Sequence, residues 1–163
     1  MTMEYPQRRQ NRIPEYDYSG ANAYFITICT KDRRNLFWNV GAVIDRPLAE
    51  TDYSEVGKIV DRVISEIPGH YPAVSLEKYV IMPNHIHILL RINADESGRP
   101  MVAPTVSTVV QQMKGSASKR AGFSLWQKGF YDHVIRGHED YLEIWQYIDN
   151  NPARWSEDKL FPG

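Results

Sequence analysis

The run Lys78-Tyr-Val-Ile-Met-Pro-Asn-His-Ile-His-Ile-Leu-Leu-Arg91 constrains this chain more than any other stretch. It reads as two short, largely apolar strands meeting at a Pro83-Asn84 turn, with two imidazoles one residue apart just past the turn. Side chains alternate faces along a strand, so His85 and His87 share one face while Ile86 and Ile88 take the other. Polar rings on a strand otherwise suited to burial need partners. Two neutral imidazoles on one sheet face are a ready ligand pair for a divalent metal. Two half-buried histidines bonded to nearby backbone are the plainer alternative, and the spacing alone does not choose between them.

The rest of the chain supplies a frame for this hairpin. Residues 1–20 are polar, carry two prolines and lack periodicity, which predicts an extended arm. Ala21–Thr30 is β-branched and aromatic, a first strand. Leu36–Asp45 allows a small hairpin around Gly41. Thr51–Ile67 has an apolar stripe at helical spacing (Val56, Ile59, Val60, Val63, Ile64, Ile67), with Asp52 and Glu55 resembling a capping box and Pro68-Gly69 as the stop. Strands at 74–82 and 84–92 follow, then a loop over 93–104. A helix over Thr105–Ala121 turns Val106, Val109, Val110 and Met113 inward, and Trp126–Arg136 reads as a fourth strand. A last helix, His138–Asn150, ends before Pro152. This order predicts an α+β, ferredoxin-like antiparallel sheet, β-α-β-β-α-β with an added C-terminal helix, as one domain over 1–163.

Composition narrows the function classes. No run approaches the roughly 18 apolar residues of a membrane span, and the polar, basic opening is not a secretory signal. The single cysteine, Cys29, precludes an internal disulfide and fits a reducing cytoplasm; its place in an apolar strand suggests a core role. A net charge of −1 gives no global argument for a nucleic-acid partner. Its distribution says more. Residues 111–136 hold Lys114, Lys119, Arg120, Lys128 and Arg136 against Asp132 alone, and Arg8, Arg9 and Arg12 cluster in the arm. These are the candidate phosphate contacts, with a solvated basic face as the alternative.

On the last helix Tyr141, Ile144, Trp145 and Ile148 form the packing stripe, while Glu143, Tyr147 and Asn151 follow one another on a neighbouring stripe. If that helix crosses the histidine face, a phenol and an amide oxygen approach the imidazoles. Two nitrogens and one neutral oxygen would leave positions on a Mg²⁺ or Mn²⁺ ion open for phosphate oxygens. A phenol with a pKa near 10 attacks poorly unless positioned or deprotonated. Tyr141 and Tyr131 suit structural places better, and His133 and His138 suit strand and cap roles.

Three blocks, Met82–Leu90, Trp126–Arg136 and Tyr147–Pro152, together with the opening Tyr18–Thr30, resemble the single-tyrosine HUH transposases (IS200-like), within them the REP-associated branch. The likeness covers about residues 17–155. It implies that His85 and His87 are metal ligands, that Asn151 completes the site, and that Tyr147 is the nucleophile. The implied activity is Mg²⁺- or Mn²⁺-dependent cleavage and rejoining of single-stranded DNA through a 5′-phosphotyrosine link, with hairpin DNA recognised. It also implies a prokaryotic cytoplasmic protein, at the nucleoid when bound to DNA, acting as a monomer or homodimer. A non-catalytic binder of structured nucleic acid and a metal hydrolase activating water are the competing readings.

Overall fold

The computed structural model describes residues 21–39, 52–93 and 105–150. Four strands, β1 (Ala21–Cys29), β2 (Val74–Met82), β3 (His85–Asn93) and β4 (Tyr131–Val134), pair antiparallel in the order β2-β3-β1-β4. Helices α1 (Glu55–Ser65), α2 (Ile67–His70), α3 (Val106–Ala121) and α4 (His138–Asn150) complete the ferredoxin-like plan. The central strands are the most apolar ones: Ile26, Ile28, Ile86, Ile88 and Leu90 are each at most 1% exposed, as strands covered on both faces require.

The register assigns the faces. Thr27 lies opposite His87, Cys29 opposite His85 and Phe25 opposite Leu89, so Phe25 and Thr27 join the histidines on one face. Val80 and Met82 extend that face onto β2. The other face packs against α1 and α3; Tyr79, opposite Ile88, donates to Asp61 of α1 at 2.5 Å. The histidine face receives α4, whose Ile144 and Ile148 are buried against it. Lys78 pairs with Asp149 at 2.8 Å and its ammonium sits 4.3 Å from the Trp145 ring. A bulge between Leu76 and Lys78 brings Glu77 to the same side, where it accepts from Tyr141 at 2.8 Å and Arg91 at 3.2 Å.

Several boundaries differ from expectation. The cap of α1 is Ser54, not Asp52, which is buried. Ser54 Oγ donates to the Leu36 carbonyl at 2.5 Å and accepts from Gly57 N at 3.0 Å, a tertiary partner that outweighs the local capping pattern. Gly57 lies so close to the Phe37 carbonyl that a Cβ there would collide with it. Pro68 does not end the helical course; it sits in the first turn of α2, where its missing N–H costs nothing. The fourth strand is four residues long instead of eleven. Trp126 only bridges to Thr30, and the carbonyls of Gln127 and Gly129 turn to Lys114. The Gly41 turn, residues 1–20 and Asn151 lie outside the described residues; Trp38 does bridge to Tyr53.

Candidate active site

The site is built on the β2–β3 turn. Pro83 and Asn84 are buried there, unusually for the tip of a hairpin. The Pro83 carbonyl accepts from Leu36 N and Phe37 N, and the Asn84 carbonyl accepts from Thr30 N. Asn84 Oδ1 lies 2.8 Å from His85 Nδ1, and Thr27 Oγ1 lies 2.9 Å from His87 Nδ1. The Asn84 amide oxygen accepts from His85 Nδ1, which puts that ring's lone pair on Nε2; His87 Nδ1 shares a hydrogen with the Thr27 hydroxyl, and both Nε2 atoms are buried. The rings meet edge-on with centroids 4.7 Å apart.

Helix α4 brings Tyr147 to this pair. Its ring centroid is 5.3 Å from that of His87 and 6.0 Å from that of Phe25, which itself stacks on His87 at 5.1 Å. At 37% exposure, Tyr147 is accessible where the histidines, at 0% and 3%, are not. A buried imidazole pair beside an accessible phenol suits chemistry on a substrate arriving from solvent. Glu143, a turn earlier, is exposed. The two Nε2 atoms form a donor set that fits a divalent cation, with Asn84 setting the tautomer of His85 and the Thr27 hydroxyl able to accept from His87. Among the described residues no third His, Cys, Asp or Glu joins them.

Of the other candidate tyrosines and histidines, Tyr141 and His133 have structural partners. Tyr141 donates to Glu77 and stacks on Trp145, with ring centroids 6.0 Å apart. His133 bonds Asp140 at 2.8 Å, joining β4 to the first turn of α4, and Asp140 also accepts from Arg136 N at 2.9 Å. Burial raises the Asp140 carboxyl, but the His133 bond, the Arg136 N–H and their charges outweigh it and hold the group below its ordinary range. Tyr131 is exposed on the edge strand opposite Thr27, and His138 opens α4.

The basic residues are not gathered into one patch. Lys114 donates to the Gln127 and Gly129 carbonyls at 3.0 Å each, and burial lowers its pKa. Arg120 forms a two-point pair with Glu66, at 2.7 and 3.3 Å. Lys119, Lys128 and Arg136 are exposed. Arg8, Arg9, Arg12 and Asn151 fall outside the described residues. Thr27 and Asn84 escaped the sequence reading. Asn84 carried a local signal, standing beside His85 in a turn, whereas Thr27 gains its role only from the pairing of β1 with β3.

Fold and site together define a ferredoxin-like protein with a strand His-X-His pair facing a helix-borne tyrosine. Residues 21–151 match the family model described as "Transposase IS200 like". The chain belongs to that family, and its enzyme class is transposase. It is 32% identical to an uncharacterised protein of Haemophilus influenzae, over 94% of this chain and 93% of that one. A second Haemophilus influenzae protein, named as a candidate REP-associated tyrosine transposase, is 23% identical over 85% of this chain and 74% of its own. Among solved structures, a REP-associated tyrosine transposase bound to a REP hairpin shares the fold with a TM-score of 0.62. Its sequence identity is 20%, over 94% of this chain and 76% of that one. Among the described residues no helix is long and apolar enough to cross a membrane.

Proposed function

We propose that this transposase cleaves and rejoins single-stranded DNA through Tyr147. The observation that carries the reading is the seat of the accessible Tyr147 ring, its centroid 5.3 Å from that of His87, against a buried imidazole pair held by Thr27 and Asn84. In the cleavage step the Tyr147 hydroxyl oxygen bonds to phosphorus while the bond from phosphorus to the 3′ oxygen breaks. The phenol proton passes to solvent and the departing 3′ oxygen takes one up, leaving a 5′-phosphotyrosine and a 3′-hydroxyl. Attack by that hydroxyl, or by another, reverses the exchange and reseals a strand without loss of bond energy.

His85 and His87 would hold a Mg²⁺ or Mn²⁺ ion through Nε2, with Asn151 as the expected third donor. When bound, such a cation supplies Lewis-acid polarisation of the phosphodiester. Thr27 and Asn84 hold the rings in place, Phe25 packs on His87, and α4 positions the phenol. Hairpin DNA is the partner we propose, on the similarity to a transposase solved with a REP hairpin.

Incubation with labelled, hairpin-bearing single-stranded DNA and Mn²⁺ should yield an SDS-resistant protein–DNA band that Tyr147→Phe abolishes. Cleavage that persists in Tyr147→Phe, with no protein on the product, would instead identify a hydrolase activating water. Binding without any adduct from wild type would leave a non-catalytic binder.

A further inference from the structure

A groove of about 940 Å³ opens between the turn Lys31–Arg33, the outer side of α3 and the segment after Trp126. Lys31, Arg33 and Lys128 line it, all exposed, and among the described residues none of the three forms an ion pair. Lys114 on the same wall is committed to two backbone carbonyls and holds the segment in place. Asp32 and Arg33 adopt left-handed backbone, with φ of 57° and 52°, a conformation non-glycine residues rarely take. The turn is held by Asn84 Nδ2, which donates to the Arg33 carbonyl at 3.4 Å, and by Lys31 N bonding the Leu125 carbonyl at 2.9 Å. Asn84 therefore touches both the groove's rim and His85.

We propose that this groove binds an unpaired stretch of the DNA strand that Tyr147 cuts. Lys31, Arg33 and Lys128 meet its phosphates, and Gln111, exposed on α3, offers a donor and an acceptor to base edges. Cations on opposite walls suit a single flexible backbone threaded between them. A duplex keeps its base edges inside its own grooves and could not present them to this floor. Asn84 ties the groove's rim to the turn that carries His85. The proposal rests on the reading of this chain as an enzyme of single strands, but its test does not need cleavage.

Fluorescence anisotropy of a labelled, unstructured single strand with the whole chain in EDTA measures the groove directly. The variant Lys31→Glu/Arg33→Glu/Lys128→Glu should bind at least about tenfold more weakly at 0.1 M salt. Its plot of log affinity against log salt should flatten by about 2, as three lost single-strand phosphate contacts require. A neutral version, Lys31→Gln/Arg33→Asn/Lys128→Gln, keeps a residue that tolerates left-handed backbone at position 33 and should show the same flattening. Arg62→Glu, an exposed change on α1, should bind as Lys58→Gln does, close to wild type. Unchanged affinity and slope in both triple variants would overturn the proposal, as would an equal loss on blunt duplex DNA. Salt slopes that flatten while wild type forms no tyrosine adduct would sink the nucleophile and keep the groove; adducts with unaltered slopes would do the reverse.

Discussion

Asn84 illustrates how much of this site depends on a buried residue behind the imidazoles. Its Oδ1 accepts a hydrogen bond from His85 Nδ1, and the Thr27 hydroxyl bonds His87 Nδ1. Partners of this kind orient a ring and raise its basicity, and their loss typically lowers metal affinity by about 10–100-fold. Asn84→Ala and Thr27→Val should each weaken Mn²⁺ binding on that scale in isothermal titration. Binding equal to wild type in both would mean that packing, not these hydrogen bonds, holds the rings. The rings are buried, so an imidazole without a partner at Nδ1 also loses a hydrogen bond the fold needs. Thermal melts alongside the titration separate that cost from the change in affinity.

At the scale of elements, α4 is joined to the sheet at both ends of its described length. Asp140 binds His133 of β4 near the start, and Asp149 binds Lys78 of β2 near the end. Because the folded Asp140 carboxyl lies below its ordinary pKa, it contributes stability above about pH 3.9. That stability is lost as pH falls through the lower, folded value. Asp140→Asn should therefore be less stable than wild type in urea melts near neutrality, with the gap narrowing below about pH 3.9. A gap that stays constant through acid would place the effect in packing instead.

The elements were legible where a local pattern suffices. The β2–β3 hairpin follows from two apolar runs around Pro83-Asn84. The α3 face follows from Val106, Val109, Val110 and Met113, all buried. The packing stripe of α4 left Tyr147 on its flank, where it meets His87. Reading failed where a distant partner decides. Ser54 caps α1 while donating to Leu36, and Lys114 takes carbonyls that a longer β4 would have placed in the ladder. Nor could spacing show that Arg120 pairs with Glu66, or that Lys31 and Arg33 border a groove.

For the molecule as a whole, ligand linkage offers a test independent of DNA. A cation that binds only the folded chain adds about 2.7 kcal/mol at a hundred times its Kd. For a chain of this size that is a rise of roughly 5–10 °C in Tm. Mn²⁺ should produce such a rise in wild type, EDTA should reverse it, and His85→Ala/His87→Ala should not respond. An equal rise in the double variant would put the ion elsewhere. The sheet divides the work: one face carries the α1 and α3 core, and the other carries the histidines under α4.

The buried tip of the hairpin has a consequence for how such a chain can diverge. Most β-turns tolerate an extra residue because the added length bulges into water. Here Pro83 and Asn84 are hemmed in by Thr30, Leu36 and Phe37. Added length would instead slide β3 by one position, and a one-residue slide exchanges the two faces of a strand. His85 and His87 would then point toward α1 and α3, with Ile86 and Ile88 beneath Tyr147. The spacing between strand and imidazoles is thus locked by geometry.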